Sequence, residues 1–304
     1  MGVMNKDRVN IVITNHVLRY SYHKNASLDR VIDQGEIPLP HETIKDGNIV
    51  DKTTLRNILI DFVQQKKWKR KNICFCLPDD SVVIRQLQIP AGLTKSEALG
   101  YVQTQLGHSF YLPFANPALE IEFLDINNHE RSILLYAYPK DKIDAFAGLF
   151  RESGLRPIVA DLTSLSVYRY FYKQSELNKD HILHVHWNWD ALVLTAFHHH
   201  KAVFTRYIKV EMMEHRNDLS EETIEQTINE YSVEINRIID FYKYSISKGQ
   251  ADINLILLTG DFPYLQQVKN TLRQSLSTEI HPFTDEVDDL KYIDVLGLAL
   301  KEGI

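Results

Sequence analysis

Residues 181–210, with the sequence HILHVHWNWDALVLTAFHHHKAVFTRYIKV, contain three short apolar runs that are separated by polar breaks. Runs of this length, rich in valine, leucine and aromatic residues, predict three successive strands at 181–187, 191–197 and 202–210. A long helix is predicted after them, from 220 to about 247, because isoleucine and tyrosine recur there at helical spacing. Three strands and a long helix therefore open the second half of the chain.

The rest of the second half is predicted to add two strands and two helices. The run INLILLT, residues 253–259, is almost wholly apolar and predicts a parallel strand that is covered on both faces. A helix at 263–276, a short strand near 278–282 and a last helix at 294–301 are predicted to follow it.

The first half is predicted to repeat this order of elements. Its predicted elements are strands at 9–14, 17–22, 28–37 and 72–77, a helix at 53–66, a strand at 157–162 and a helix at 163–174. A further α/β segment interrupts that order. We therefore expect an α/β protein with two lobes, residues 5–178 and 179–304, and an inserted subdomain at about 81–157 in the first lobe.

The composition favours a protein of a reducing compartment that binds no nucleic acid. The 304 residues carry a net charge of −6, which argues against a general nucleic-acid surface. The two cysteines, Cys74 and Cys76, are predicted to be thiols within a buried strand. Because the sequence has no signal-peptide core and no apolar run of about 20 residues, we expect a cytoplasmic protein without a membrane span.

The densest basic run is KKWKRK at residues 66–71. It is predicted to be a solvated helix end and the loop that follows it. The alternative is a contact with anionic lipid or with a partner protein.

The twelve glycines are too far apart for the familiar glycine-rich nucleotide loops. No two of them lie closer than six residues. A Rossmann G-x-G-x-x-G is therefore excluded, and so is a Walker loop, which needs glycines five residues apart. Any nucleotide site in this chain must work without such a loop.

Short motifs along nearly the whole chain resemble the type IV pilus assembly protein PilM family. They are LQIPAGL at 87–93, YLPF at 111–114, FRESGLRP at 150–157, FTR at 204–206, EINR at 234–237 and LGLAL at 296–300. The resemblance implies the actin-like (ribonuclease H-like) fold, in which two lobes of this element order face each other. The cell-division protein FtsA and the cytoplasmic domain of the secretion protein GspL share that fold and are the nearest alternatives.

The resemblance also implies an ATP and Mg²⁺ site between the lobes, and here the sequence departs from the family. The family holds the phosphates with two Asp-x-Gly hairpins and a glycine-rich turn, but its two Asp positions fall at Val12 and His186. The loop positions in this chain are Thr14, Asn15, Asn188 and Gly260. Only the last is a glycine, so we expect degenerate nucleotide loops, no bound cofactor and no catalytic residue.

Histidines near the second loop raise the question of a metal. His184 and His186 lie on one face of a predicted strand, with Asp190 nearby. A third ligand at motif spacing is missing, so we expect strand-end histidines packed at the cleft and no metal. His198–His200 is predicted to be an exposed hairpin tip.

The resemblance implies a membrane-protein partner. In the family, the inserted subdomain and the adjacent first lobe bind the cytoplasmic N-terminal segment of PilN. The candidate contacts in this chain are Phe110, Leu112, Pro113 and Phe114, although these residues could equally form the subdomain's core. We therefore predict a non-catalytic scaffold of a pilus, secretion or competence machine, recruited peripherally to the cell membrane, with self-association as a second interaction. The alternatives are an active actin-like ATPase and an FtsA-like division adaptor.

Overall fold

The computed structural model describes residues 8–24, 31–127, 129–174, 179–210, 220–281 and 290–301. The first lobe is built on a five-stranded sheet. Its strands lie in the order β10 (Arg156–Leu162), β6 (Asn72–Leu77), β1 (Arg8–Ile13), β2 (Val17–His23) and β3 (Val31–Pro38). Strands β1, β6 and β10 are parallel, whereas β2 and β3 run antiparallel to their neighbours. A small hairpin of β4 (Ile44–Lys45) and β5 (Asn48–Ile49) follows β3.

Two layers of helices cover this sheet. Helices α1 (Lys52–Lys66) and α3 (Lys140–Glu152) bury their apolar faces in one core with β1 and β6. The other face is covered by α4 (Thr163–Gln174) and by the last helix, α7 (Ile293–Ala299), whose Val295 and Leu298 pack on Val12. Helix α3 falls inside the expected 81–157 insertion, and α7 inside the expected 179–304 lobe, yet both pack on the first sheet.

The inserted subdomain is a three-stranded antiparallel sheet in the order β7 (Val83–Pro90), β9 (Glu130–Pro139) and β8 (Pro117–Asn127). Helix α2 (Lys95–Gln105) packs on it and begins with a capping box between Thr94 and Glu97. On the side of the second lobe, Ile84 and Leu134 share a core with Phe197. The subdomain therefore contacts both lobes.

The second lobe confirms the strands predicted for 181–210. The five strands of its sheet lie in the order β13 (Lys201–Lys209), β12 (Ala191–His198), β11 (His181–Trp187), β14 (Leu255–Thr259) and β15 (Glu279–Ile280). Helices α5 (Glu221–Phe241) and α6 (Leu265–Ser275) cover one face. Both cysteines of the first lobe are buried thiols, as predicted. Within the described residues, no helix combines the length and apolar composition that a membrane crossing requires.

Candidate functional site

Three loops meet between the two large sheets. They follow β1, β11 and β14 and include all four positions that the sequence matched to nucleotide loops. Asn15 Nδ2 donates to Asp190 Oδ2 at 2.8 Å, which joins the first loop to the second. Gly260, with φ of +125°, lies so close to the second loop that a Cβ atom would stand 2.0 Å from the Trp187 carbonyl oxygen. The structure thus brings these positions together, while their role in nucleotide binding stays a prediction.

His16 links the first lobe to the second through two carboxylates. Its Nε2 lies 2.9 Å from Asp261 Oδ2, and its Nδ1 lies 3.4 Å from Asp190 Oδ1. Burial alone would lower the pKa of His16, but the hydrogen bonds and charges of Asp190 and Asp261 raise it to about 9. His16 is therefore an imidazolium at neutral pH.

Arg19 adds a second cation to this network. It projects from β2, is 1% exposed, and pairs with Asp261 of the third loop and, at 3.1 Å, with Asp294 of α7. Burial would raise the pKa of Asp261, but His16 and Arg19 hold it well below its usual range. Two cations and three carboxylates thus neutralise most of one another's charge where the loops meet.

The backbone of the loops is also bound by the protein itself. The N–H of Trp189 donates to Asp261 Oδ1 at 2.8 Å, and the N–H of Asp261 donates to Asn188 Oδ1 at 3.2 Å. In the first loop, the N–H groups of Thr14 and His16 donate within their own turn. A phosphate cradle needs free N–H groups that point at the ligand, and these are already engaged.

The space beside the loops does not suit a nucleotide phosphate. A cavity of about 30 Å³ is lined by the carboxylates of Asp79, Asp80 and Asp190. Burial and the neighbouring Asp80 charge raise the pKa of Asp79 to about 7, although a hydrogen bond from Thr163 opposes this shift. The volume fits a water molecule or two, and two of the three carboxylates already have a cation, Asp80 with Lys142 and Asp190 with His16. The residues present therefore do not fit the phosphates of ATP.

His184 and His186 are buried, and their rings contact neighbouring side chains of the protein. Both rings lie within hydrogen-bond distance of the Thr259 hydroxyl, at 2.8 and 2.9 Å. Burial is the main cause that lowers the pKa of His186 to about 4, with a smaller effect of Arg19. Among the residues that the structure describes, no three histidine, cysteine or acidic side chains are grouped as metal ligands. His200 of the hairpin tip lies 2.8 Å from the Tyr168 hydroxyl.

The raised pKa of His16 predicts a pH-dependent stability. Its folded-state pKa of about 9 exceeds the unfolded value of 6.5, so its stabilising effect is complete below pH 6.5 and is lost as pH rises through 9. The difference in unfolding free energy between wild type and His16→Gln should therefore shrink by up to about 3 kcal/mol over that interval. Urea titrations across this pH range measure the difference.

His41→Gln is the matched control for this prediction. His41 is 75% exposed and lies beside Glu42, so the pH dependence of its unfolding free energy should match that of wild type. If the unfolding free energies of His16→Gln and His41→Gln show the same pH dependence, the bridge that His16 forms between the lobes is contradicted.

A larger groove lies between the inserted subdomain and the first lobe. Its volume is about 500 Å³, which is within the range of pockets that bind ligands. Strand β8 and residues 136–138 form one wall, residues 160–165 form the other, and residues 200–202 of the second lobe close one end. The lining is mainly apolar, and its polar members include three ion pairs: Lys95 with Glu120, Lys201 with Glu122 and Lys301 with Asp161, at 2.6 to 2.9 Å.

Two sheet edges face this groove. Strand β8 is the edge of the three-stranded sheet, and β10 is the edge of the first sheet. Side chains already occupy part of the β8 edge, since the Ile121 N–H donates to Glu120 Oε1 and Lys201 Nζ donates to the Phe123 carbonyl, both at 3.0 Å. Unpaired strand edges offer backbone groups to an added strand.

The segment predicted to contact a partner lies elsewhere in the subdomain. Phe110 is 8% exposed and packs in the subdomain core, and Leu112 packs against that core. Pro113 is exposed and Phe114 is half-buried. None of the four lines the 500 Å³ groove, and their partner role stays a prediction. Sequence analysis did not identify the groove.

Comparisons with known proteins agree on one family and one fold. The family model described as type IV pilus assembly protein PilM matches residues 16–210. A solved PilM–PilN type IV pilus biogenesis complex is similar in structure, with a TM-score of 0.79 and 15% identity over 97% of this chain and 98% of that chain. A search of curated protein sequences finds no significant match.

Two other solved structures extend the likeness in fold. One is a Bacteroides thetaiotaomicron protein of actin-like ATPase fold, with a TM-score of 0.54 and 15% identity over 98% of this chain and 97% of that one. The other is the ethanolamine utilization protein EutJ from Carboxydothermus hydrogenoformans, with a TM-score of 0.54 and 10% identity over 97% and 89%. The predicted actin-like fold is confirmed.

Proposed function

Because this chain belongs to the type IV pilus assembly protein PilM family, we propose that it is a non-catalytic scaffold that binds the cytoplasmic segment of a PilN-like membrane protein. The engaged loops at the centre of the molecule support the non-catalytic role. The 500 Å³ groove supports binding of the partner's segment. Binding to a membrane partner would recruit the protein peripherally to the cell membrane.

The non-catalytic role rests on the chemistry of the cleft. ATP hydrolysis in this fold requires phosphates close to backbone N–H groups and a metal held near them. In this chain His16 and Arg19 lie where the loops meet and are already paired with carboxylates, so neither cation is available to a phosphate. Displacing such buried pairs leaves unpaired charges and is costly.

Peptide binding rests on the shape and lining of the groove. An extended segment can add to a strand edge through its backbone while alternate side chains enter pockets. The groove offers the β8 and β10 edges together with an apolar floor that includes Ile121 and Leu162. A short apolar segment with polar flanks would match the floor and the ion pairs. A solved PilM–PilN complex supports a PilN-like partner.

Peptide binding can be measured with the purified protein and the cytoplasmic N-terminal peptide of its PilN-like partner. We expect saturable binding by fluorescence anisotropy, and Ala160→Trp should weaken it about tenfold or more, because the indole fills the groove at an exposed position of β10. Ala145→Trp places the same side chain at an exposed position outside the groove lining and should leave affinity unchanged.

Absence of binding at high micromolar peptide would count against the partner. Equal weakening by both tryptophan variants would count against the groove. Phe114→Ala tests separately the contact predicted for residues 110–114.

The rival hypothesis of an active ATPase makes the opposite prediction for nucleotide. Isothermal titration of Mg-ATP into the protein should give no binding heat, and a phosphate-release assay should show no turnover. The N–H groups of Thr14, His16, Trp189 and Asp261 and both cations already have partners. Asp261→Asn weakens the pairing of both cations, and its Mg-ATP titration is compared with that of the wild-type protein. Tight binding with turnover by the wild-type protein would overturn the non-catalytic proposal and favour the ATPase.

A further inference from the structure

Five cations are gathered at one end of the first lobe, on two neighbouring segments that run from the end of α1 towards β6 and from the end of α3 into β10. We call them the basic face: Lys67, Lys69, Arg70, Arg151 and Arg156. The Arg70 N–H donates to the Gly154 carbonyl at 2.7 Å, and the Arg156 N–H donates to the Lys71 carbonyl at 2.8 Å. The loop after α1 and the loop after α3 are thereby joined.

The basic face is exposed, and two acids beside it, Asp33 and Glu152, pair with cations outside the face. All five residues are exposed, and none forms an ion pair with any residue that the structure describes. Residues 66–71 contain no acid, and the one acid of residues 151–156, Glu152, pairs with Lys52 and Arg56 of α1 at 2.9 and 3.5 Å. The face is thus positive on a chain whose net charge is −6.

The loop after α1 is held in a fixed conformation. Trp68 is 5% exposed and packs edge-on against Tyr20 and Phe62, with ring centroids 5.6 and 5.2 Å away. Lys67 and Arg70 adopt left-handed φ angles of 58° and 66°, which favour glycine or asparagine. The chain therefore keeps cations at two strained backbone positions, on either side of a buried tryptophan.

We propose that the basic face binds anionic lipid headgroups at a membrane surface. Clusters of lysine and arginine are attracted to anionic bilayers within about one Debye length. Single-stranded nucleic acid is the less suitable occupant, because Trp68 is buried and offers no ring for stacking on bases. This inference goes beyond peptide binding and does not require it.

The position of the basic face also fits attachment to the membrane at two points, directly through the face and indirectly through a membrane partner bound in the groove. The basic face lies at the starts of β6 and β10, while Leu77 and Leu162, at the ends of these strands, line the groove. Five residue steps along β6 separate them by about 17 Å. A groove-bound segment of a membrane partner would need roughly six extended residues to reach the same bilayer.

Vesicle flotation with the full chain and no partner peptide tests the proposal. We expect binding to phosphatidylcholine vesicles that contain phosphatidylglycerol, no binding to phosphatidylcholine alone, and loss of binding at high salt. The triple variant Lys69→Gln, Arg70→Gln, Arg156→Gln should bind about tenfold more weakly or worse. The matched triple Lys45→Gln, Lys140→Gln, Arg237→Gln, which removes exposed cations elsewhere, should bind as wild type does.

Three outcomes would overturn the proposal. They are equal binding to both kinds of vesicle, full binding by the first triple variant, and tighter binding to duplex DNA than to the anionic vesicles. Soluble glycerol phosphate should not compete with the vesicles for the basic face. Competition by it would be a fourth contrary result, because it would assign the face to a free anion. Because the peptide titration contains no lipid, failure here leaves the peptide proposal intact, and the reverse also holds.

Discussion

Arg19→Ala is expected to lower the free energy of unfolding by about 3–5 kcal/mol. The guanidinium is buried between Asp261 of the second lobe and Asp294 of the last helix, and its removal leaves Asp294 without its cation and Asp261 with His16 alone. An uncompensated buried charge costs more than the lost contact itself. Urea unfolding monitored by circular dichroism measures the change.

Arg237→Ala is the matched control for this substitution. Arg237 is 66% exposed and pairs with Glu234 one helical turn away, so its removal should change stability by less than about 0.5 kcal/mol. If Arg19→Ala also stays within about 1 kcal/mol of wild type, the network does not couple the lobes as described.

Gly260→Ala is expected to remove more than about 4 kcal/mol of stability or to prevent folding. A Cβ atom at this position would lie 2.0 Å from the backbone oxygen and 2.5 Å from the backbone carbon of Trp187, and neither can move as a flexible side chain can. The φ of +125° adds strain, because residues with a side chain rarely adopt it. Soluble yield and urea unfolding report the effect.

Gly148→Ala is the control for an added methyl group. Gly148 lies within α3, and a Cβ atom there would meet no heavy atom within 4 Å. Alanine is the better helix former, so this variant should be more stable than wild type by about 0.5–1 kcal/mol. A Gly260→Ala protein that unfolds near the wild-type midpoint would contradict the close approach of the two loops.

The elements of this fold could be predicted from the sequence because each has a local signal. Short apolar runs marked the strands of residues 181–210, and helical spacing marked the long helix after them. The packing of α3 and α7 could not be predicted in this way. Periodicity identifies an apolar helix face but does not say which of two sheets will cover it.

The candidate site was predictable only in part for a similar reason. The loop positions Asn15, Asn188 and Gly260 come together as their strand ends suggest. The network that fills the cleft also needs Arg19, Asp261 and Asp294, which are far apart in the chain. The one sign of this network in the sequence is an arginine inside the apolar strand VLRYSY. The groove has no local signal, because three separate parts of the fold form its walls.

The covering of the first sheet by the last helix has a consequence for synthesis. Strand β1 begins at Arg8, yet α7, which shields Val12, Cys74 and Cys76 from water, begins only at Ile293. At translation rates of about 5–20 residues per second, roughly 15–60 s pass between the emergence of these two elements from the ribosome. During that time the nascent first lobe exposes the apolar side chains that α7 covers in the finished lobe. We expect this lobe to complete its folding only after α7 has emerged, and to depend on chaperones until then.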